Sequence, residues 1–284
     1  MSKLENYKIK KCVGATELTM LYLAQHKYLG SDLIIEASAY GHDKDLEQRL
    51  KYLAQLLGKL NHNKILPIVD AFEDKEKLYL IFSWQEQMND LSSILKSEKK
   101  LSLDRSLKLT LDICDILGYL QNQKIVHQNL QPSNILITEN SLFLGGFILA
   151  NSLEKPFQGT ICKLDEARYA SPEWVLKKPL CFEQDIWGLG VCMYQMLSGK
   201  LPFEGDADKS TGQYIIEGKF EPLKELVPDI PDSINDLIIR LFSLKKEERP
   251  AIDEIKEIVA GELYKKPIAN AFVAMPFHPQ LIRK

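Results

Sequence analysis

The sequence predicts an α+β fold in which a small strand-rich unit with one helix precedes a larger helical unit, with a cleft between the two. Three short apolar runs separated by turn residues predict strands at 7–13, 18–25 and 33–39. Between residues 43 and 61 the leucines recur at steps of three and four, so they share one face of a helix. After Met88 the pattern stays helical, which separates the two units.

Two more strands complete the strand-rich unit. Residues 64–72 and 77–84 have strand character, with apolar and aromatic side chains between turn residues. The charged residues 74–77 at the junction of these two runs predict a hairpin turn. We therefore expect the strand-rich unit and its connection to the next unit to end near residue 86.

The rest of the chain predicts a helical unit with a few very short strands. Helices are predicted at 101–123, 184–197, 233–244 and 251–260. Short strands are predicted at 125–126, 135–137 and 142–144. Because 184–197 is almost entirely apolar, this helix should lie at the centre of its unit. Gly261 suits the C-cap of the last helix, so we expect the unit to finish there.

Composition and charge are ordinary for a soluble globular protein. Of the 284 residues 45% are hydrophobic and 26% charged, and 36 basic against 39 acidic side chains give a net charge of −3. This balance argues against a nucleic-acid partner and against attraction to anionic membranes. No apolar run approaches the ~20 residues of a membrane span, and the N-terminus lacks an apolar signal segment. We expect a cytoplasmic protein.

The cysteines give no sign of a disulfide framework or a metal site. They are Cys12, Cys114, Cys162, Cys181 and Cys192. Their number is odd, they are scattered, and none has CxxC spacing. This pattern favours buried, reduced thiols.

Five segments carry motifs in a fixed order along the chain. They are VHQNLQPSNIL at 126–136, Gly146-Phe147-Ile148, YASPEWV at 169–175, the segment 185–205 that begins DIWGLG, and EERP at 247–250. In this order and at these intervals they resemble the protein-kinase signature set, in its serine/threonine form. The resemblance covers about residues 7–260. It implies a two-lobed protein-kinase-like fold with a small β-sheet N-lobe and a larger helical C-lobe.

The resemblance also sets the expected boundaries. The N-lobe and hinge should occupy 1–86, the C-lobe 87–263, and a C-terminal tail 264–284. The tail holds an apolar stretch at 269–277, part of which resembles the first buried strand of an α/β domain. Two interpretations stay open: a strap that folds back on the C-lobe, or the start of a further domain.

Phosphoryl transfer needs a glycine-rich cradle, a cation on the phosphates, a metal-binding carboxylate and a catalytic carboxylate. The cradle keeps Gly14, but Thr16 and Thr19 stand at the other two glycine positions and Glu17 at the loop tip. Glycines let backbone N–H groups approach phosphate, so their loss predicts a poor cradle. The alternative is that the threonine hydroxyls donate to phosphate.

The cation and its ion-pair partner are both replaced. Glu36 stands where the family has a lysine, and a carboxylate there repels a triphosphate. Leu53, nine residues before His62, stands where the resemblance places the partner glutamate. Ile34 replaces a small residue above the adenine and should narrow that pocket. The alternative is that Glu36 holds a metal or a basic residue.

The catalytic loop and the metal-binding motif are also altered. Asn129 replaces the catalytic aspartate and cannot act as a base, because a carboxamide takes no proton near neutral pH. Gln131 replaces the cation beside the transferred phosphoryl group, and Gln128 replaces the arginine that grips a phosphorylated activation segment. Asn134 is unchanged. Gly146 replaces the aspartate that is the chief carboxylate ligand of the metal.

Residues with structural roles in the family persist. The resemblance implies a buried ion pair between Glu173 and Arg249. It implies a stack that braces the two lobes over Asp185, formed by Leu57, Ile68, His127 and Phe147. Any nucleotide is expected against Gly14, Leu21, Ile34, Phe82, Ser83, Trp84 and Leu136.

Since the losses fall on chemistry and the retained residues on packing, the sequence predicts a pseudokinase rather than an enzyme. We expect no cofactor and no metal, weak or absent Mg·ATP binding, and a scaffold or regulatory role through contacts with another protein. Two alternatives remain. One is an atypical phospho- or nucleotidyl-transferase that uses Glu36 and Asn134, and the other is a nucleotide sensor without catalysis.

Overall fold

The N-lobe is an antiparallel sheet with one long helix packed against it, in a computed structural model that describes residues 2–15, 19–38, 44–75, 77–85, 87–139, 141–157 and 167–265. Its strands are β1 Tyr7–Ala15, β2 Thr19–His26, β3 Asp32–Ser38, β4 Ile68–Asp74 and β5 Lys77–Ser83. They lie in the order β1-β2-β3-β5-β4, with antiparallel neighbours. The helix α1, Lys44–Leu57, buries the predicted leucine face against this sheet.

The C-lobe is helical, as the periodicity predicts. Its helices within the described residues are α2 Leu91–Glu98, α3 Leu103–Asn122, α4 Pro172–Val175, α5 Glu183–Ser198, α6 Thr211–Glu217, α7 Leu223–Leu226, α8 Asp232–Leu241 and α9 Ile252–Leu263. Its short strands are β6 Asn89–Asp90, β7 Ile125–Val126, β8 Ile135–Ile137, β9 Leu142–Leu144 and β10 Asn151–Ser152. The three short strands predicted from sequence have the bounds of β7, β8 and β9.

The helix α5 forms the centre of the C-lobe, which confirms the prediction from its apolar sequence. Trp187 and Tyr194 on this helix are buried. The ring of Trp187 stacks on Phe203 at 5.1 Å between centroids and contacts Phe242 at 5.2 Å. The guanidinium of Arg249 lies over the Trp187 ring, 5.1 Å from its centroid. Trp187 therefore contacts both the aromatic core and a buried cation.

The predicted ion pair between Glu173 and Arg249 is present. The two guanidinium Nη atoms donate to the two carboxylate oxygens at 3.0 and 2.8 Å, and both side chains are buried. Arg249 also donates to the carbonyl oxygens of Ser243 and Glu183. The arginine lowers the pKa of Glu173, against the effect of burial, which raises it. The pair therefore ties α4 to the loop before α9.

The segment that precedes β4 connects the two lobes. The sequence predicts a strand from 64 to 72, but the strand begins at Ile68 because Pro67 has no N–H to give to the sheet. Residues 64–66 instead pair with β9 of the C-lobe, where Leu66 N–H donates to Leu144 O at 2.9 Å and Leu144 N–H to Lys64 O at 2.8 Å. The N-lobe and C-lobe are thereby joined through backbone hydrogen bonds.

Two elements extend past the glycines at which the sequence predicts their ends. The first strand is predicted at 7–13, but β1 continues through Gly14 to Ala15, and the register shift between Cys12 and Gly14 marks a β-bulge. Gly261 lies inside α9, which continues to Leu263 with Tyr264 as its C-cap. A side chain at Gly261 would meet no atom within 4 Å, so this position needs no glycine for packing.

The cysteines partly follow the prediction. Cys114, Cys181 and Cys192 are buried free thiols, and burial raises the pKa of Cys114 to about 12 and of Cys181 to about 11. Cys12 is exposed instead, because its side of β1 faces solvent. Cys162 lies outside the described residues, as does the tail from 266 to 284. In the described part of the chain no helix combines the length and apolarity that a bilayer crossing requires.

Candidate functional site

A cavity of about 770 Å³ lies between the N-lobe sheet and the loops of the C-lobe. Most of the residues singled out from the sequence line it, and these are Gly14, Leu21, Ile34, Glu36, Leu53, Phe82, Trp84, Asn129, Gln131, Asn134, Leu136 and Gly146. Ser83 does not line the cavity. Because side chains alternate along an extended chain, Phe82 and Trp84 face the cavity and Ser83 faces away.

The wall on the N-lobe side is apolar. Ile34 is 6% exposed and Phe82 8% exposed, and both belong to the main hydrophobic core. Leu53, on α1, is 1% exposed and fills the position from which a glutamate would reach across to β3. This side of the cavity can accept a flat apolar group, and its described residues offer no cation to a phosphate.

Glu36 is the acidic group of the N-lobe wall. Its Oε1 accepts a hydrogen bond from Thr19 Oγ1 at 2.8 Å, across the β2–β3 pairing. Burial raises the pKa of Glu36, and the hydrogen bond from Thr19 lowers it by less. No basic side chain among the described residues pairs with Glu36. Thr16 and Glu17, singled out in the same loop, lie outside the described residues.

The carboxamides of the catalytic loop bond to one another and to the following segment. Gln131 Nε2 donates to Asn129 Oδ1 at 2.9 Å, and Asn129 Nδ2 donates to Gly146 O at 3.0 Å. Asn134 Nδ2 donates to Asn129 O at 2.7 Å. We call these four residues, Asn129, Gln131, Asn134 and Gly146, the amide network. The side chains of the amide network itself include no carboxylate and no cation.

Gly146 is in the left-handed region, with φ of 71°. A Cβ at this position would lie 2.1 Å from Asn134 Cγ and 2.3 Å from Asn134 Oδ1. The carboxamide of Asn134 thus occupies the space that a side chain at position 146 would enter. Mg²⁺ held with a nucleotide prefers carboxylate oxygens. The residues present do not fit that metal, since the position of its chief carboxylate has no side chain and the Asn134 carboxamide fills the space that one would enter.

His127 joins the catalytic loop to the lobe-bridging stack. Its ring meets Phe147 edge-to-face at 4.5 Å between centroids, and its Nε2 lies 2.9 Å from Gly145 O. Asn129 N–H donates to the other ring nitrogen, Nδ1, so the geometry requires a neutral imidazole. Burial accordingly lowers the pKa of His127 to about 4. The predicted stack is in place, with Leu57 and Phe147 buried in the core that Ile68 also packs against.

Asp185 on α5 holds the same loop through its backbone. Its carboxylate oxygens accept the backbone N–H groups of His127 and Gln128, both at 2.7 Å. Burial raises the pKa of Asp185 to about 7, and the two backbone N–H donors act in the opposite direction. Gln128 has a positive φ of 60°, which these bonds stabilise.

Arg49 does not line the cavity but holds the segment that follows Gly146, and sequence reasoning missed it. This arginine on α1 is 2% exposed, and its Nε and Nη2 donate to Ile148 O at 2.8 Å and Ala150 O at 2.5 Å. Gln128 Nε2 donates to the carbonyl between them, Leu149 O, at 2.8 Å. Two side chains therefore hold three successive carbonyls of the segment 148–150.

Aromatic rings and burial complete the surroundings of Arg49. Its guanidinium lies 5.3 Å from the ring centroid of Tyr52 and 5.2 Å from that of Phe157. Burial lowers the pKa of Arg49 to about 10, so it stays charged at neutral pH. A signal for this residue was present in the sequence. Arg49 lies three residues after Leu46 and four before Leu53, on the apolar face of α1, where a charge needs a buried partner.

Comparison with known proteins gives a consistent result. The model of the protein kinase domain matches residues 7–259. A probable serine/threonine-protein kinase of Clostridium perfringens is 24% identical over 91% of this chain and 38% of its own length. The serine/threonine-protein kinase PrkC of Bacillus subtilis is 24% identical over 82% of the chain and 37% of its own length. The serine/threonine-protein kinase PLK2 of Mus musculus is 34% identical over 86% of the chain and 34% of its own length. The chain thus spans little more than a third of the length of these relatives.

Proposed function

Because the chain belongs to the protein kinase family, we propose that it is a catalytically inactive member, a pseudokinase that acts as a scaffold or regulatory binding module. The amide network carries this proposal. Asn129, Gln131 and Asn134 stand where a base, a cation and a metal ligand would act. The carboxamides of Asn129 and Gln131 bond to each other and to Gly146 O, and that of Asn134 donates to the backbone carbonyl of Asn129. None of these groups can accept a proton or neutralise a phosphate near pH 7.

The N-lobe wall supports the same proposal. Glu36 replaces a cation with a carboxylate, and Leu53 offers nothing to pair with. Each lost electrostatic group of an active site costs ~2–4 kcal/mol. Three such losses consume the ~8 kcal/mol of a micromolar complex. Binding of Mg·ATP is therefore expected to be very weak or absent.

The second candidate is a nucleotide sensor without catalysis. The apolar wall of the cavity, with Leu21, Ile34, Phe82 and Leu136, supports this candidate. A planar base can lie between such side chains without any metal. The sensor and the scaffold differ in one measurable property, which is nucleotide affinity in the absence of Mg²⁺.

Phosphotransfer from radiolabelled ATP to the chain itself or to generic substrates is the primary test. We expect none above background. The single reversion Asn129→Asp should not restore it, because catalytic groups act as a unit and the metal carboxylate and lysine remain missing. Transfer by the unmodified chain would overturn the proposal. Transfer that survives Asn129→Ala but is lost in Glu36→Ala would instead identify an atypical transferase.

Thermal denaturation with millimolar ATP, with Mg²⁺ or with EDTA, separates the remaining candidates. A pseudokinase scaffold should show no shift of Tm under either condition. Equal stabilisation with and without Mg²⁺ would favour the sensor, because the cavity offers an apolar wall and no metal carboxylate. A large shift that EDTA abolishes would contradict the conclusion that the site does not fit Mg²⁺.

A further inference from the structure

The charge of the cleft is the reverse of what a nucleotide needs. Three charged residues are found in its described lining, Glu36, Asp90 and Lys96. Glu36 lies on β3 in the N-lobe wall, where the family has a lysine, and Lys96 lies on α2 of the C-lobe. The carboxylate of Asp90, at the N-cap of α2, already accepts the N–H of Ser93 at 2.8 Å and its hydroxyl at 2.6 Å. Glu36 is therefore the acidic group that remains for a ligand.

The carboxyl of Glu36 has aliphatic side chains around it. Its neighbours across the sheet are Leu21 on β2 and Leu80 on β5, and both line the cavity, as does Leu53 on α1. Within the described residues its hydrogen-bond partner is Thr19, and no lysine or arginine there forms an ion pair with it. Glu36 is partly exposed, and the space that it borders is the cavity. A carboxyl without a basic partner in an apolar wall is complementary to a positively charged group.

An apolar part of the cavity lies beside Glu36. Ile34 from the N-lobe sheet, Leu136 from β8 of the C-lobe and Phe82 line it. Ile34 and Glu36 are two residues apart on one strand, so their side chains share a face and lie ~7 Å apart. A planar ligand of about two fused rings spans that distance, and a cavity of about 770 Å³ has room for it.

We propose that the cleft binds a planar aromatic ligand that carries one positive charge, with its ring between Ile34 and Leu136 and its cationic group on the carboxylate of Glu36. The inference rests on the proposed function, in which the cleft does not serve Mg·ATP, and it names the class of ligand that fits instead. Amidine and guanidine groups suit the site, because their paired N–H donors match the two oxygens of a carboxylate.

The existing contacts of Glu36 are compatible with such a ligand. An ionised carboxylate offers about four acceptor positions, so the hydrogen bond from Thr19 to Oε1 can persist beside the ligand. Burial raises the pKa of Glu36, and a cation in contact with the carboxylate favours its charged form. The positive charge of the ligand therefore contributes affinity as well as orientation.

The test is isothermal titration calorimetry of the full chain with three compounds that share one ring system. Naphthamidine is positively charged near neutral pH, naphthamide is neutral, and naphthoate is negatively charged. We expect naphthamidine to bind about 10-fold more tightly than naphthamide, or better, because its charge meets the carboxylate of Glu36. Naphthoate should bind most weakly, since it brings a second carboxylate to the same wall.

Two variants with the same change in net charge localise the cationic group. Glu36→Gln should weaken naphthamidine about 10-fold or more and leave naphthamide within about 2-fold, because a carboxamide keeps the size and an acceptor but loses the charge. Glu204→Gln, at an exposed position, should leave the affinity of all three compounds within about 2-fold. Circular dichroism and Tm show whether both variants are folded. Hydrogen exchange of the unmodified chain needs no variant, and naphthamidine should slow it in residues 33–37 and 135–137.

Four results would overturn the inference. They are equal affinity for naphthamidine and naphthamide; equal weakening by both variants, which indicates net charge alone; no binding of naphthamidine at 1 mM; and its displacement by 1 mM Mg²⁺, which would place a metal ion on Glu36. The proposed function fails separately. Phosphotransfer together with Glu36-dependent binding of naphthamidine would refute the pseudokinase but keep the ligand class, and an inactive chain with no preference for naphthamidine would refute the ligand class alone.

Discussion

Glu36 differs from an ordinary surface glutamate because it is a carboxyl group in a mostly apolar wall with a hydroxyl donor. Its raised pKa means that the folded chain binds the proton more tightly than the unfolded chain does. The stability that Glu36 contributes is therefore fully present below its unfolded pKa and is lost as the pH rises through the raised, folded-state pKa. Stability at pH 8 thus carries the cost of a partly buried carboxylate, and stability at low pH does not.

We expect Glu36→Gln to stabilise the chain more at pH 8 than at pH 5. Glutamine does not titrate and can still accept the hydrogen bond from Thr19. The Tm of the variant minus that of the unmodified chain should therefore increase with pH, by about 2 °C or more between pH 5 and pH 8. Thermal denaturation followed by circular dichroism at four pH values measures it. The exposed Glu204→Gln should show a flat difference, and an equally flat Glu36 curve would mean that its carboxyl stays solvated.

Which residues could be read from the sequence depends on how far apart they are along the chain. The places of Glu36, Asn129 and Gly146 in the family's motifs follow directly from the spacing of those motifs. The hydrogen bonds of the amide network do not, because they depend on how closely the segments around 129 and 146 approach in space. Cys12 was predicted to be buried but is exposed, for a related reason. The exposure of β1 depends on what covers the sheet, which the sequence of the strand does not show.

At the scale of elements, the position of α1 is the central question, since its usual ion pair with β3 is absent. Arg49 provides a connection of another kind, from α1 to the carbonyls of Ile148 and Ala150. Tyr52, one turn later, adds a second connection, because its hydroxyl accepts the N–H of Ser152 at 2.8 Å. The helix is thus fastened to the C-lobe segment 148–152 rather than to the neighbouring strand.

Arg49→Met should destabilise the chain by about 2–4 kcal/mol, because hydrogen bonds to a charged group contribute about 1.5–3 kcal/mol each and two carbonyls lose their donor. Arg49→Lys should be intermediate, since one ammonium cannot span both carbonyls as the planar guanidinium does. Urea denaturation gives the free energy of unfolding. Hydrogen exchange should accelerate in α1 and in 148–152 in both variants.

The matched control is Arg240→Met, which breaks an exposed pair with Glu254 and should cost less than about 1 kcal/mol. If Arg49→Met were no more destabilising than this control, the connection between α1 and the C-lobe would have to lie elsewhere.

Element boundaries were predicted correctly where the sequence periodicity is strong. They were missed where pairing with a distant strand sets the boundary. The short strands β7, β8 and β9 match because Gly, Asn and charged residues flank them. The segment 64–66 was assigned to the wrong neighbour, since sequence shows that it is extended but not that it pairs with β9. The two-residue β10 gave no periodic signal at all.

For the whole molecule, the open question is where the kinase-like unit ends. The predicted C-lobe ends at 263, and α9 ends at Leu263. Val259 on this helix is buried, and Ser233 on α8 contacts Glu262, so the last turn of α9 is part of the packed lobe. The sequence leaves two interpretations of the tail beyond it, a strap on the C-lobe or the start of a further domain.

A chain that ends at residue 263 should keep its Tm within about 2 °C of the full chain, since surface segments contribute little. A chain that ends at residue 258 also loses Val259 and Leu263 and should melt about 8 °C lower or more. Differential scanning calorimetry compares the three lengths. If the first truncation already melts 8 °C lower, the tail packs on the C-lobe as a strap and no further domain begins there.

If the chain is inactive as proposed, the contact between Gly146 and Asn134 restricts which substitutions would make it an active kinase, and in what order. An aspartate at 146 would have to adopt a left-handed backbone and would push the Asn134 carboxamide out of its bond with Asn129. On the proposed function, that first step disturbs the amide network and yields no catalyst, because Asn129 and Glu36 are unchanged. A first substitution at Asn129 instead would disturb the same carboxamides. On the proposed function, each single reversal would therefore disturb the amide network without restoring activity, so activity would return only through several substitutions made together.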